Sequence, residues 1–242
     1  MKKKLTLVIA LAAVILTIAI AGGTLAWFTA DDAAKNTFTV GRIEITQYEQ
    51  EHDANGDLQS FTQDQDLLPI VNVSSPADDG NYVEKIVTVE NTGRNNAYVR
   101  TFIAYPKALK DVLHLDTVGA GTTAWAQDSI QWDDQTVDGV VYEIISFTYA
   151  DILEKNDVTE AVLNGVYLDA ALDIKVNPAN NLRQFCTFDA NGVATYYDFD
   201  VTEQIQVLVA TQGGQSNAFE AYGAVNAMNQ MFGQAPDMTE VQ

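Results

Sequence analysis

A single cysteine, Cys186, in 242 residues leaves this chain without an intrachain disulfide and without a thiolate metal cluster. Its surroundings, Gln184-Phe185-Cys186-Thr187-Phe188, place no histidine or basic residue beside the thiol, so it reads as a small buried side chain. Histidine is almost as scarce. His52 and His114 are the only two, and no H-E-x-x-H string occurs, which removes the zincin type of protease site. The G-x-S-x-G, P-loop and C-x-x-C strings are absent as well. Basic residues number 13 against 33 acidic ones, which argues against nucleic acid as a partner, because phosphate binding needs clustered Lys and Arg. Carboxylates are so numerous that pairs suited to glycoside hydrolysis can always be drawn, yet no spacing selects one. No Pro/Gly/Ser-rich linker and no internal repeat divides the chain, so it reads as one domain. The sequence thus offers no catalytic, cofactor-binding or metal-binding residue, and the chain reads as non-enzymatic.

What is present begins at the N-terminus. Lys2, Lys3 and Lys4 precede an apolar run of 17 residues, Leu5 to Ala21, followed by Gly22-Gly23-Thr24-Leu25-Ala26-Trp27-Phe28. The charges stay on the cytoplasmic side while the run enters the membrane, and the glycines then loosen the helix for a peptidase. Residues 1–26 read as a signal peptide, with Thr24, Ala26, Trp27 and Phe28 as the cleavage region. The small residues favour a cut after Ala26. An uncleaved anchor is the alternative, since such a run sits at the short edge of a transmembrane span. With the signal removed, 10 basic residues face 33 acidic ones and the formal charge becomes −23. That charge keeps a secreted protein soluble.

The string G-G-T-L-A-W-F-T-A-D resembles the signal of the TasA/camelysin family, secreted proteins of Gram-positive bacteria processed by a dedicated, SipW-type signal peptidase. Asn36-Thr37-Phe38-Thr39-Val40-Gly41-Arg42-Ile43-Glu44-Ile45 resembles the first mature strand of that family. Val87-Thr88-Val89-Glu90-Asn91-Thr92-Gly93, with Ala97-Tyr98-Val99-Arg100 after it, resembles its strand, Asn-Thr-Gly turn and next strand. Val207 to Gln212, leading to Phe219, is a weaker echo of the C-terminal end, while residues 105–200 match no named pattern. The resemblance implies a jelly-roll-like antiparallel β-sandwich that polymerises into extracellular biofilm fibres, with cleavage placed after Trp27.

The pattern along the chain is mainly β, with a few short helices and one C-terminal helix. Residues 27–45 read as an N-terminal arm and first strand, and 46–242 as the sandwich domain with a helix near 217–232. Phe38 and Val40 alternate with threonines, but Ile43 and Ile45 continue one residue out of phase, and Gly41 stands where the phase slips. Either a bulge bends one strand there, or Gly41 separates a detachable arm from a fixed strand. Asp53, Asn55 and Asp57 have the odd-position spacing of a calcium loop, yet Leu58 stands where the loop needs Gly and Asp64 where it needs Glu. Asn55-Gly56 reads instead as a tight turn, and calcium is the one ion left open. Asp189-Ala190-Asn191-Gly192 and Asp138-Gly139 predict hairpins, the second joining 129–132 to 140–149. Short helices are expected over 106–113 and 149–155, while 165–176 fits strand or helix equally. Val83, Val87 and Val89 share one parity, and Ala97, Val99, Thr101 and Ile103 another, so these faces should turn inward. A strand is expected over 201–211. Asn217 suits a helix N-cap, Gly233 a C-terminal stop, and Tyr222, Val225, Met228 and Phe232 form the stripe between them.

Three functions of different classes fit these features. The first is a fibre subunit whose arm, anchored by Phe38 and Val40, enters a groove on the next copy, giving a head-to-tail homopolymer with other matrix components or the cell surface as further partners. The second is a surface module that binds glycan or protein through exposed aromatics such as Trp125, Trp132 and Tyr196. The third is a camelysin-like metalloprotease.

Overall fold

The computed structural model describes residues 37–40, 43–117, 124–219 and 221–233. All of them fall within one unit, Ala34–Gln242. The expectations placed on Thr24, Ala26, Trp27, Phe28 and Gly41 lie outside the described residues. Alternation at period two gives each strand one face to bury, and these faces assemble into three antiparallel sheets. The first runs β1 (Thr37–Val40), β2 (Ile43–His52), β4 (Val83–Asn91), β10 (Leu163–Leu168), β6 (Leu113–Thr117), with β3 (Leu58–Ser60) also on β2. The second runs β14 (Leu208–Gly214), β5 (Tyr98–Pro106), β9 (Val140–Tyr149), β7 (Trp125–Gln127), with β8 (Gln135–Val137) also on β9. A smaller sheet joins β11 (Asp173–Val176), β12 (Arg183–Phe188) and β13 (Ala194–Asp200). The chain is mainly β, with a single C-terminal α-helix among the described residues, and its sheets form a sandwich.

The first two sheets face each other. Ile43 and Ile45 of β2, Val87 and Val89 of β4, and Val99 and Ile103 of β5 are fully buried between them. Each such side chain contributes about 1.5–3 kcal/mol relative to exposure. The layers are close: a Cβ added to Gly213 on β14 would sit 3.1 Å from Ile43 Cγ2 and 3.2 Å from Ile45 Cδ1. The inward parities expected for β4 and β5 are those observed. β5 is buried on its other face too, because Phe102 and Ala104 are covered. Trp132 meets Phe102 edge-on at 5.2 Å, and its indole N–H donates to Ser146 Oγ at 3.0 Å. Arg100 is a partly buried structural cation, 3.1 Å from Asp128 and lying 4.3 Å above the Phe219 ring.

The C-terminal helix, α1 (Ala221–Met231), packs on β14. It starts later than Asn217, ends before Gly233 at φ +66°, and keeps Met228 and Phe232 of the expected stripe against the core but not Val225. Val225 is exposed, while Ala224, Ala227 and Met231 face the sheet with Met228 and Phe232 at the margin. Close approach explains the shift: a Cβ on Gly223 would collide with the Gln212 side chain, so small residues occupy the contact.

The Asx-Gly strings form the turns expected of them. Asp53 Oδ1 accepts from the amides of Asn55 and Asp57, and Gly56 at φ +85° closes the β2–β3 hairpin. Asp189 Oδ1 accepts in the same way from Asn191 and Val193 between β12 and β13. Asp138 and Gly139, at φ +51° and +89°, connect β8 to β9. The partner strand is Gln135–Val137, however, and 129–132 is irregular because it folds over β5 and β9. Residues 107–109 form one 3₁₀ turn, 149–155 has no helix, and 165–176 divides between β10 and β11. Residues 201–207 are irregular and β14 begins only at Leu208. Cys186 is fully buried, and burial raises its thiol pKa above the ordinary value.

One buried carboxylate organises the long β3–β4 connection. Asp79 accepts from the amides of Val71 at 2.8 Å, Asn72 at 2.5 Å and Asn81 at 2.9 Å, and these amides hold its pKa below the ordinary 3.8. A depressed carboxylate pKa contributes stability that is present above the ordinary value and lost as pH falls through the folded value. The protection factors of the Val71, Asn72 and Asn81 amides, taken against the intrinsic rate at each pH, should therefore be high at neutral pH and fall in acid below that range. Asp79→Asn should show the low protection already at neutral pH. Equal protection in both proteins would overturn the assignment.

Candidate assembly groove

β1 is the edge strand of the first sheet and pairs back on β2, with Thr37 opposite Thr46, Phe38 opposite Ile45, Thr39 opposite Glu44 and Val40 opposite Ile43. The phase change between Val40 and Ile43 thus coincides with a reversal of the chain between two antiparallel strands. Phe38 and Val40 stand opposite the two core-facing isoleucines of β2. The rest of the β2 edge is covered by β3, which pairs with Gln50 to His52, and by the Phe61 amide, which donates to Glu49 O at 3.0 Å. What β1 alone covers is therefore the stretch Ile43–Thr46. Across the sandwich, β14 pairs on one side only, with β5, and both β1 and β2 approach it.

A polar bridge spans the two sheets beside this edge. Gln47 is buried, and its Nε2 donates to Val209 O of β14 at 3.2 Å and to Glu49 Oε1 at 3.1 Å. Thr211 Oγ1 donates to Gln47 Oε1 at 2.7 Å, and the Thr211 and Thr101 hydroxyls lie 3.2 Å apart. Satisfying these groups locks β2 against β14 without closing the edge.

The Asn-Thr-Gly turn anchors β2 from the opposite side. Asn91 is fully buried; its Nδ2 donates to Asn95 O and Leu153 O, and its Oδ1 accepts from the Gly93 amide. That amide also donates to Glu44 O at 2.9 Å. A Cβ on Gly93 would sit 2.8 Å from the Glu44 amide nitrogen, so glycine is what permits the approach. The turn does not make a hairpin: β4 lies in one sheet and β5 in the other, and the turn carries the chain between them.

Farther along β2, at Glu49, lies a cavity of about 580 Å³, walled by Phe61, Leu67, Ile205, Val207 and Met231. Its floor holds an ion pair. Lys85 follows the inward parity of β4, and its Nζ lies 2.9 Å from Glu49 Oε2, donates to Val207 O at 3.1 Å, and sits 4.8 Å from the Phe61 ring centre. Both side chains are more than nine-tenths buried. The walls on either side, 62–69 and 203–207, form no strand. Open walls and an edge strand leave room for a further extended segment.

The remaining sequence-derived residues are scattered. Trp125 is buried against Tyr149, and its indole N–H donates to Glu160 O at 2.9 Å. It is not an exposed aromatic, and Trp132 is half-buried over β5. Tyr196 Oη donates to Val176 O at 3.2 Å. His52 pairs with Glu84 at 2.8 Å and His114 lies 3.6 Å from Asp169. Among the described residues no group of three or more His, Cys, Asp or Glu is placed to hold a metal ion. No helix among them is long and apolar enough to cross a membrane.

The model of the camelysin metallo-endopeptidase family matches residues 1–53 of this chain. The match therefore takes in the apolar N-terminus, β1 and all of β2, and stops where the β2–β3 turn begins. This is the family that the signal and first-strand strings resemble. No curated protein matches the chain.

Proposed function

We propose that this chain is a secreted, non-enzymatic subunit of extracellular matrix fibres, joined head to tail by the N-terminal strand of one copy pairing on the β2 edge of the next. The observation that carries this reading is the position of β1: a strand of four residues at a sheet edge, close to the one-sided β14. Withdrawn from its own β2, it uncovers backbone donors and acceptors at Ile43–Thr46, which the β1 of a neighbour satisfies in the same register. The exchange is heterologous, so it propagates into a filament. The N-terminal segment directs export from a Gram-positive-type cell and is removed by a dedicated signal peptidase. Removal frees the arm, which makes processing the trigger for assembly. The net charge of −23 left after processing keeps unassembled copies apart until strands exchange. The two histidines are engaged with different carboxylates and share no third ligand, which favours a structural role over the peptidase named for the family.

Negative-stain electron microscopy of purified protein starting at Trp27, beside protein starting at Gly41, tests this. Filaments from the longer chain only are expected. Filaments from both would move the joint away from β1, and folded monomers from both would remove self-assembly as the function.

A further inference from the structure

Asparagine precedes glycine three times in this chain, at Asn55-Gly56, Asn164-Gly165 and Asn191-Gly192, and the fold places the three in different surroundings. Asn55 and Gly56 are exposed at the tip of the β2–β3 hairpin, and Asn191 and Gly192 at the tip of the β12–β13 hairpin. Both glycines have positive φ, +85° and +77°, and a Cβ on either would meet nothing within 4 Å. Their amides each donate one bond of 3.0 Å inside the turn, to Asp53 O and Asp189 O. Gly165 is the opposite case. It is buried within β10, opposite Glu84 of β4 on one side and Asp116 of β6 on the other. A Cβ there would lie 2.3 Å from the Tyr82 ring, so that ring covers the backbone of β10.

We propose that Asn55 and Asn191 are sites of spontaneous deamidation and isoaspartate formation, and that the fold protects Asn164 from it. An asparagine side chain and the next backbone nitrogen close a five-membered ring when the following residue has no Cβ to obstruct the approach. The glycine nitrogen gives up its proton and attacks asparagine Cγ. The N–Cγ bond forms, the Cγ–Nδ2 bond breaks, and the side-chain nitrogen leaves as ammonia with that proton. Water then opens the succinimide at either carbonyl, giving aspartate or isoaspartate. Nothing is oxidised or reduced, and water is the co-reactant. Ring closure needs rotation about the asparagine Cα–C bond. A turn in open space allows this by local fluctuation, whereas β10 must first part from both neighbours. Isoaspartate carries the main chain through the side-chain carbon and so adds an atom to the turn. At 55 it also brings a new carboxylate beside Asp53 and Asp57, in the cap where Asp53 Oδ1 accepts from two amides, and like charges there repel. β3 is three exposed residues that pair with Gln50–His52 across this turn, so that pairing is what the modification loosens.

Peptide mapping of the full chain in mild detergent, aged at mildly alkaline pH beside the same protein in denaturant, tests this, with isoaspartyl methyltransferase labelling to identify the product. All three asparagines should convert at similar rates in denaturant. In the folded protein Asn55 and Asn191 should convert, and Asn164 should lag behind them by about tenfold or more, because strand opening is rarer than turn fluctuation. Asn55→Gln should remove the signal at 55 and leave that at 191. Hydrogen exchange should show lower protection of the β2–β3 ladder in aged than in fresh protein. Conversion of Asn164 at the rate of the other two would overturn the proposal. So would intact Asn55 and Asn191 in folded protein under conditions where the denatured chain converts. Unchanged protection of the ladder in protein carrying isoaspartate at 55 would overturn the loosening of β3.

Discussion

Replacing Phe38 and Val40 together with Asp yields a folded monomer that no longer forms filaments. The register sets these positions opposite Ile45 and Ile43, both fully buried. Two carboxylates introduced there must be desolvated beside an apolar core without partners, at several kcal/mol each, which exceeds what a four-residue ladder returns. The buried core of the described residues is supplied by β2, β4, β5, β9 and β14, so the double variant should still melt cooperatively. Thr39 stands opposite the exposed Glu44, so Thr39→Asn should assemble like the parent. Electron microscopy with a thermal melt of each protein checks both halves. Filaments from the double variant would remove β1 from the joint; loss of filaments in Thr39→Asn would show that the strand as a whole, and not its core-facing register, is what matters.

Lys85→Ala should be the most destabilising single change in the cavity. It leaves Glu49 as an unpaired buried carboxylate and takes a donor from Val207 O. Breaking a buried pair in this way costs about 3–5 kcal/mol. For a domain of this size that lowers the melting temperature by about 10 °C. The double variant Lys85→Met with Glu49→Leu should recover most of the loss, because replacing both charges by apolar groups of similar volume removes the desolvation cost along with the attraction. Denaturant titration of the three proteins gives the comparison. A parent-like midpoint for Lys85→Ala would mean that water enters the cavity and solvates Glu49, and that the pair is not structural.

Lys85 also shows how far a pattern can be read. It stands between Val83 and Val87 with the parity of the buried valines, so its inward direction was legible in the sequence. Its partner was not, because Glu49 lies on another strand and 49 and 85 meet only when β2 pairs with β4. The same holds for the outer face of that sheet. His114 and Tyr167 come from two strands and Tyr82 from the residue that precedes a third, and no spacing along the chain announces that their rings meet. Trp125 and Trp132 stand out in the sequence as large aromatics, but an aromatic side chain is as readily buried as exposed, and neighbouring strands and loops buried the first and half-covered the second. The helix stripe held at Met228 and Phe232 but not at Val225, for a related reason. Periodicity located a helix between residues 217 and 232, whereas the side that faces β14 was selected by how closely Gly223, Ala224 and Ala227 let the helix approach.

The sequence by itself determined the features that depend on near neighbours. These are the Asp-Ala-Asn-Gly and Asp-Gly turns, where a side chain caps the next two amides; the alternation that makes β4 and β5 strands; and the scarcity of cysteine and histidine that limits the chemistry available. Tertiary structure decided everything that depends on which strand lies beside which. It turned β1 back onto β2 as an edge strand, separated β4 and β5 into opposite sheets across the Asn-Thr-Gly turn, put Lys85 over Glu49, and laid Tyr82 on Gly165. The physical reason is range. A turn is stabilised by hydrogen bonds within a few residues, while a strand edge, a buried ion pair and an aromatic surface exist only after distant segments have paid the entropy of being brought together.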